Sequence, residues 1–138
     1  FECRWVRLLP NPQNPGPWVR GLTVSLPIPV AHAEGKFVAC SEVLDALEGS
    51  QQIALRYCNA AGEPVMSYPE NPNGSLRSIA GITDKTGRIL GLMPHPDRHY
   101  LPTQAPDWTR QGLREEETWQ PLFDNAARYL TNQSIPVA

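Results

Sequence analysis

The segment 88–98 reads Arg-Ile-Leu-Gly-Leu-Met-Pro-His-Pro-Asp-Arg, an apolar run that two prolines end around a histidine. Proline donates no backbone hydrogen bond and is poorly tolerated within a sheet, so Pro94 limits residues 88–93 to a short strand. The apolar side chains of this run predict that the strand is buried. Pro96 also disfavours helical backbone at His95 and favours extended backbone there. We therefore predict a histidine just past the carboxyl end of a strand, where functional groups of α/β sheets gather.

Asp97 lies two residues after His95. In extended backbone, residues i and i+2 point the same way, so the carboxylate can lie beside the imidazole. A carboxylate that accepts from one ring nitrogen fixes the tautomer and leaves the other nitrogen free to take a proton from a nucleophile. We expect a catalytic pair of His95 and Asp97 without its nucleophile; the alternative is a solvated histidine in a proline-rich turn.

Size and charge exclude several classes of function. The chain has 138 residues, a net charge of −2 and a pI near 5.9, which fits one domain or part of one and leaves no basic surface for nucleic acid. No apolar stretch approaches the roughly 20 residues of a membrane span, and we expect a soluble, cytoplasmic protein. The three cysteines lie far apart and none has zinc-ligand spacing, so we predict reduced thiols and no metal site.

The remaining patterns predict a mixture of strands and helices. Residues 10–17 contain four prolines and are expected to form an exposed loop, and residues 31–37 are expected to form a polar loop. Two hairpins are expected, from residues 53–57 with 64–68 and from residues 79–82 with 89–93. Further predicted elements are strands over 1–5 and 22–30 and helices over 41–49 and 119–130, the last with Trp119, Leu122, Phe123, Ala126, Ala127 and Leu130 on its apolar face.

Six segments, taken in order, resemble one known family: residues 1–6 (FECRWV), 29–37 (PVAHAEGKF), 54–57 (ALRY), 68–75 (YPENPNGS), 79–82 (IAGI) and 91–96 (GLMPHP). The chain resembles the glutaminase part of phosphoribosylformylglycinamidine synthase, a class I glutamine amidotransferase. Because Phe1 begins within a strand-like pattern, we expect residues 1–138 to be the C-terminal portion of a single such domain.

The resemblance implies a three-layer α/β, flavodoxin-like fold and a definite reaction. In the family, a cysteine attacks the side-chain amide of glutamine, forms a glutamyl thioester and releases ammonia. A synthetase subunit or domain then uses that ammonia for ATP-dependent amidine formation in purine biosynthesis. The resemblance assigns the general base to His95 and its orienting carboxylate to Asp97; it implies no cofactor in this domain, with ATP and magnesium held by the synthetase partner.

Two departures from the family pattern bear on activity. The family usually has glutamate where this chain has Asp97, whose side chain is shorter by about one C–C bond, ~1.5 Å. The family's Gly-x-Cys-x-Gly type turn is also missing: Cys58 ends a predicted strand without a preceding glycine, and Cys3 and Cys40 fit no better. We therefore expect the nucleophile to lie outside this chain and the chain alone to be inactive.

Other polar residues have plainer interpretations. The family retains a His-x-Glu-Gly loop at His32 and Glu34, for which we favour loop structure or a subunit contact over chemistry. Asn73 and Ser75 belong to a turn that is also a candidate contact with the synthetase. His99 is expected to be a solvated neighbour of Arg98.

Three functions remain open at this point. The first is an amidotransferase glutaminase, of which this chain carries the base and its orienting group. The second is an inactive glutaminase-like module that binds and regulates a synthetase, which a missing cysteine and an altered acid would permit. The third is a class I amidotransferase with another acceptor, against which the Asn-Pro-Asn-Gly-Ser and His-Ala-Glu-Gly segments argue.

Overall fold

The computed structural model describes residues 1–131, which form a five-stranded sheet with helices packed on both of its faces. The strand order is β2-β1-β3-β4-β5, and all four pairings within these residues are antiparallel. The strands are β1 (Glu2–Pro10), β2 (Leu26–His32), β3 (Ile53–Cys58), β4 (Ile79–Thr83) and β5 (Leu90–Leu92), and the helices are α1 (Ser41–Gly49), α2 (Trp108–Gln111) and α3 (Gln120–Leu130). These bounds confirm most of the predicted elements.

Two hydrophobic clusters lie on opposite faces of the sheet. On one face, Leu44 and Leu47 of α1 pack against Ile53 and Ile79. On the other face, Trp119 and Leu122 are buried with the apolar side chains of β1 and β2 and with four residues of the central strands, Ala54, Leu55 and Tyr57 of β3 and Ala80 of β4. The register of β3 against β4 shifts between Ile53 and Arg56, so its side chains do not alternate strictly between the two faces. A helix on each face of a sheet is the three-layer arrangement that the sequence predicts.

The edge strand β2 runs through two prolines that interrupt the predicted pattern. Antiparallel pairing joins alternate residues to the neighbouring strand, so Pro27 and Pro29 turn their missing N–H groups toward the free edge, where no ladder bond is lost. Their carbonyl oxygens accept hydrogen bonds there: Pro29 from the backbone N–H of His95, and Pro27 from the side chains of His99 and Trp119. The segment that follows β5 therefore covers this edge, which would otherwise be open to pairing with another chain.

The loop over residues 10–17 is not the exposed excursion that its composition predicts. The Asn14 side chain is 8% exposed, and its amide donates to the carbonyl of Gln51 at 2.9 Å and to the hydroxyl of Thr83 at 3.0 Å. Gly16 lies so close to Gly87 that a Cβ on Gly16 would sit 2.3 Å from the carbonyl oxygen of Gly87. Turn-forming composition excluded helix and sheet correctly but carried no information on packing.

Three further expectations need correction. His32 lies in β2 and not in a polar loop. The segment 64–68 is not a strand, since one isolated bridge between Cys58 and Pro64 replaces the expected pairing. The apolar face of α3 is rotated: Trp119 and Leu122 are buried as predicted, but Phe123 and Leu130 are exposed, and Asn125 is buried where it donates to the carbonyls of Trp18 and Arg20.

None of the helices within residues 1–131 is long and apolar enough to cross a membrane.

Candidate active site

His95 follows the short strand β5, which Pro94 ends as expected. Its backbone is extended, with φ −105° and ψ 90°, as Pro96 requires. Its N–H donates to the carbonyl of Pro29 at 3.2 Å, which fixes it against the edge strand β2. β5 itself is only partly buried, unlike the buried strand that was predicted. The imidazole is half-buried and therefore open to a reactant.

Asp97 does not lie beside His95 in an extended segment. Residues Pro96–His99 form a 3-10 turn, and the N–H of Arg98 donates back to the carbonyl of His95 at 3.1 Å. Residues 95 and 97 do not point the same way here because proline is also a favoured first residue of a helical turn, so the chain bends immediately after His95. The Asp97 side chain is exposed, and no hydrogen bond joins it to the His95 ring in the described part of the chain.

His32, at the end of β2, is a close electrostatic neighbour of His95. Its side chain is 9% exposed, and neither ring nitrogen has a hydrogen-bond partner within residues 1–131. Burial, followed by repulsion from His95, lowers the pKa of His32 and outweighs the opposing effects of its own backbone and of Glu2, its cross-strand partner. His32 is therefore held neutral at neutral pH.

Gly35 lies directly against the ring of His32. A Cβ at this position would be 2.0 Å from Cε1 and 2.1 Å from Nδ1 of His32, so only glycine fits without moving the ring. The same Cβ would be 2.9 Å from Oδ1 of Asn73, a buried acceptor that also has no partner among the described residues. Nδ1 of His32 and Oδ1 of Asn73 thus both lie close to the same point, the Cβ position of Gly35 in the loop 33–37.

The turn 71–75 holds that loop in place. The hydroxyl of Ser75 donates to the carbonyl of Gly35 at 3.3 Å and accepts from the N–H of Phe37 at 3.0 Å. The amide of Asn73 donates to the carbonyl of Ala33 at 3.3 Å. Asn71 closes the turn by bonding both backbone groups of Ser75 at 2.9 Å. Ser75 is fully buried, so it braces the loop from the interior.

A groove of about 300 Å³ opens between this loop and the last two strands. Glu34 and the backbone of the loop form one wall, and Met93, two residues before His95, lies at the end of the other. Three of the predicted residues, His32, Asn73 and Ser75, thus meet around Gly35, and His95 is the electrostatic neighbour of His32. The fourth, Glu34, precedes Gly35 in the chain and lines the groove.

His99 is the residue that the sequence analysis misjudged most. It is 1% exposed, its Nδ1 donates to the carbonyl of Pro27 at 3.0 Å, and its ring meets the ring of Trp5 edge-on at 4.9 Å. The expectation of a solvated side chain was wrong because the 3-10 turn directs His99 inward over the β2 edge. The prolines of β2 were the one available signal, since they require an edge that something can cover.

The three cysteines lie where a nucleophile for His95 is not expected. Cys58 is buried at the end of β3, and its cross-strand partner is Arg7. Burial raises the pKa of its thiol, against weaker lowering by Ser25 and Arg7, whereas an activated cysteine needs a lowered pKa. Cys3 is exposed on β1, and Cys40 is exposed just before α1.

This placement predicts the order of thiol modification. With iodoacetamide at pH 8 under native conditions, Cys3 and Cys40 should be alkylated first, because both are exposed and Cys58 is buried with a raised pKa. Peptide mass spectrometry over a time course gives the order, and unfolding in urea should equalise the three rates. Early modification of Cys58 in the folded protein would contradict its assignment as an inert buried thiol.

Residues 1–130 match the CobB/CobQ-like glutamine amidotransferase domain, and the chain belongs to this family. The predicted class I glutamine amidotransferase fold is thereby confirmed.

The individual relatives are subunits of one enzyme. The chain is 40% identical over 129 residues to phosphoribosylformylglycinamidine synthase subunit PurQ of Dehalococcoides mccartyi, covering 94% of this chain and 49% of the relative. It is 55% identical over 73 residues to the subunit of the same name of Chlorobium chlorochromatii, covering 53% and 30%. The structure of PurLQS from Thermotoga maritima matches with a TM-score of 0.63 at 26% identity, covering 94% of this chain and 48% of that one. The chain thus spans about half the length or less of these relatives.

Proposed function

We propose that this chain is the base-carrying part of the glutaminase of phosphoribosylformylglycinamidine synthase. The observation that carries the proposal is the half-buried His95, fixed by its backbone to β2 at the end of a strand, in a chain 40% identical to a subunit of that synthase. A neutral imidazole there is able to take the proton of a thiol as it attacks the glutamine amide, and then to give that proton to the departing ammonia.

The nucleophile is proposed to lie outside residues 1–138. Cys58 is buried with a raised pKa, and neither Cys3 nor Cys40 lies in a strand-to-helix turn of the kind that exposes a nucleophile beside backbone N–H donors. About half of the length of the relative from Dehalococcoides mccartyi falls outside the match and has room for such a turn. On this proposal the chain alone does not hydrolyse glutamine.

The ammonia is proposed to pass to a synthetase partner. The PurLQS structure from Thermotoga maritima supports this, because 94% of this chain aligns with one of its chains and the relative from Dehalococcoides mccartyi is named as a subunit of the synthase. The partner would hold ATP and magnesium and form the amidine, and this domain would need only glutamine. The carboxylate side chain of Asp97, exposed here, would turn toward His95 when the rest of the domain is present.

Chloroketone labelling tests the proposed nucleophile directly. The complete protein that contains this chain is treated with a glutamine-like chloroketone, with and without excess glutamine, and the modified residue is mapped by peptide mass spectrometry. An adduct on a cysteine outside residues 1–138, reduced by glutamine, is the expected result. An adduct on Cys58 would overturn the assignment, and no adduct on folded, partner-bound protein would favour an inactive regulatory module.

The exposed Asp97 has no hydrogen bond to the His95 ring within residues 1–131, so its variants carry a separate prediction. If the carboxylate orients His95, Asp97→Ala should lower kcat for glutamine hydrolysis by about 10- to 100-fold with little change in KM, since orientation acts on the reacting state. Asp97→Glu, which restores the usual family residue, should retain or raise activity. Steady-state assays of ammonia release give both numbers, and full activity in the alanine variant would remove Asp97 from the mechanism.

A further inference from the structure

The buried ring of His32 is the feature of this chain that the proposed reaction does not use. Buried polar groups in proteins nearly always have hydrogen-bond partners, so a buried ring whose two nitrogens have none within residues 1–131 is expected to have a role or to gain a partner. Oδ1 of Asn73 is another buried atom without a partner among the described residues; it would lie 2.9 Å from a Cβ on Gly35, and Nδ1 of His32 would lie 2.1 Å from the same Cβ. The two atoms are therefore neighbours, and a hydrogen bond from Nδ1–H to this oxygen would satisfy both.

The end of β2 links His32 mechanically to His95. The backbone N–H of His95 donates to Pro29, three residues before His32 in the same strand. The loop that follows His32 is tied to the turn 71–75 by bonds from Asn73 and Ser75. A displacement of the His32 ring would therefore be passed to the strand end that positions His95.

Charge supports the same role. When His95 takes the thiol proton it becomes an imidazolium, and a second positive charge beside it would oppose that step. His32 avoids this because burial and its neighbour His95 lower its pKa, so it presents no charge at neutral pH. Glu2, the cross-strand partner of His32, already forms an ion pair with Arg4, whose Nε lies 2.8 Å from the Glu2 carboxylate.

We propose that His32 is a positioning residue for His95: its imidazole, seated against Gly35 and paired through Nδ1 with Oδ1 of Asn73, fixes the strand end to which His95 is bonded. The inference rests on the proposed function for its catalytic consequence, but the pairing itself is a property of the fold. It predicts that kcat depends on the ring nitrogens of His32 and not only on the volume of its side chain.

Kinetics of the complete protein test the catalytic consequence. His32→Phe keeps a ring of similar size and removes the nitrogens, and it should lower kcat for glutamine hydrolysis by about 10- to 100-fold with KM within about twofold. His32→Asn, whose amide nitrogen can occupy the place of Nδ1, should recover most of kcat. Asn73→Ala should match His32→Phe, and the two changes together should cost no more than either alone. Wild-type kcat in His32→Phe would overturn the proposal.

Ring NMR tests the pairing without any enzymatic activity. In protein labelled with ¹⁵N-histidine, His32 should be neutral with its proton on Nδ1, and Asn73→Ala should move its ring resonances. His32→Phe should move the ring resonances of His95, assigned through His95→Gln, with the melting temperature as a control for folding. If wild-type protein hydrolyses no glutamine but these shifts are seen, the proposed function fails and the pairing stands. Unchanged His95 resonances would refute the positioning role whether or not the enzyme is active.

Discussion

Replacing His95 by glutamine in the complete protein should reduce kcat for glutamine hydrolysis by about 10²- to 10⁴-fold, the usual contribution of a general base. Glutamine retains hydrogen-bonding capacity near the ring's position but cannot accept and return a proton. The side chain is half-buried and only its backbone is bonded to β2, so the melting temperature should hardly change. Ammonia release at saturating glutamine, with thermal unfolding of the same sample, measures both.

His99→Gln is the matched control, because it makes the same substitution four residues further along the same segment. His99 is fully buried and bonded to Pro27, so its replacement should cost roughly 1–3 kcal/mol of stability and leave kcat of the folded fraction near the wild-type value. A stable His99→Gln variant with lost activity, or a fully active His95→Gln variant, would reverse the two assignments.

The sequence predicted the local elements well where periodicity was long or turn chemistry was strong. The α1 helix, the β4–β5 hairpin and most of α3 follow from apolar spacing and from glycine or proline punctuation. It also placed His95 correctly at a strand end, since the proline that follows restricts its backbone whatever the surroundings.

The errors fell where a local pattern could not report a contact distant in sequence. His99 looked solvated because nothing near it in the chain reveals the Pro27 carbonyl, 72 residues earlier. Asn14 looked exposed because its partners lie in the turn before β3 and at the end of β4. The junction of His32, Gly35 and Asn73 joins two loops 40 residues apart, so the sequence could place each loop but not their meeting.

Trp119 is the side chain that fixes the segment after β5 to the edge strand β2. Its ring is fully buried in the larger core, and its indole N–H donates to Pro27 at 2.8 Å. Its backbone N–H donates to the carbonyl of His99 at 2.8 Å. Trp119 thus joins the start of α3, the turn after His95 and the edge strand in one place.

Trp119→Ala should therefore lower the free energy of unfolding by about 3–5 kcal/mol, the cost of removing a large buried aromatic ring. Trp119→Phe keeps an aromatic ring but loses the indole hydrogen bond and part of the buried ring volume, so a smaller loss of about 1–3 kcal/mol is expected, since Pro27 still accepts from His99. Urea unfolding of the complete protein measures both. Trp108→Ala removes a half-exposed tryptophan from the same segment and should change stability by no more than about 0.5 kcal/mol. Equal losses at Trp119 and Trp108 would show that the segment after β5 is not held on the edge of β2, and the fixed position of His95 would then lose its physical basis.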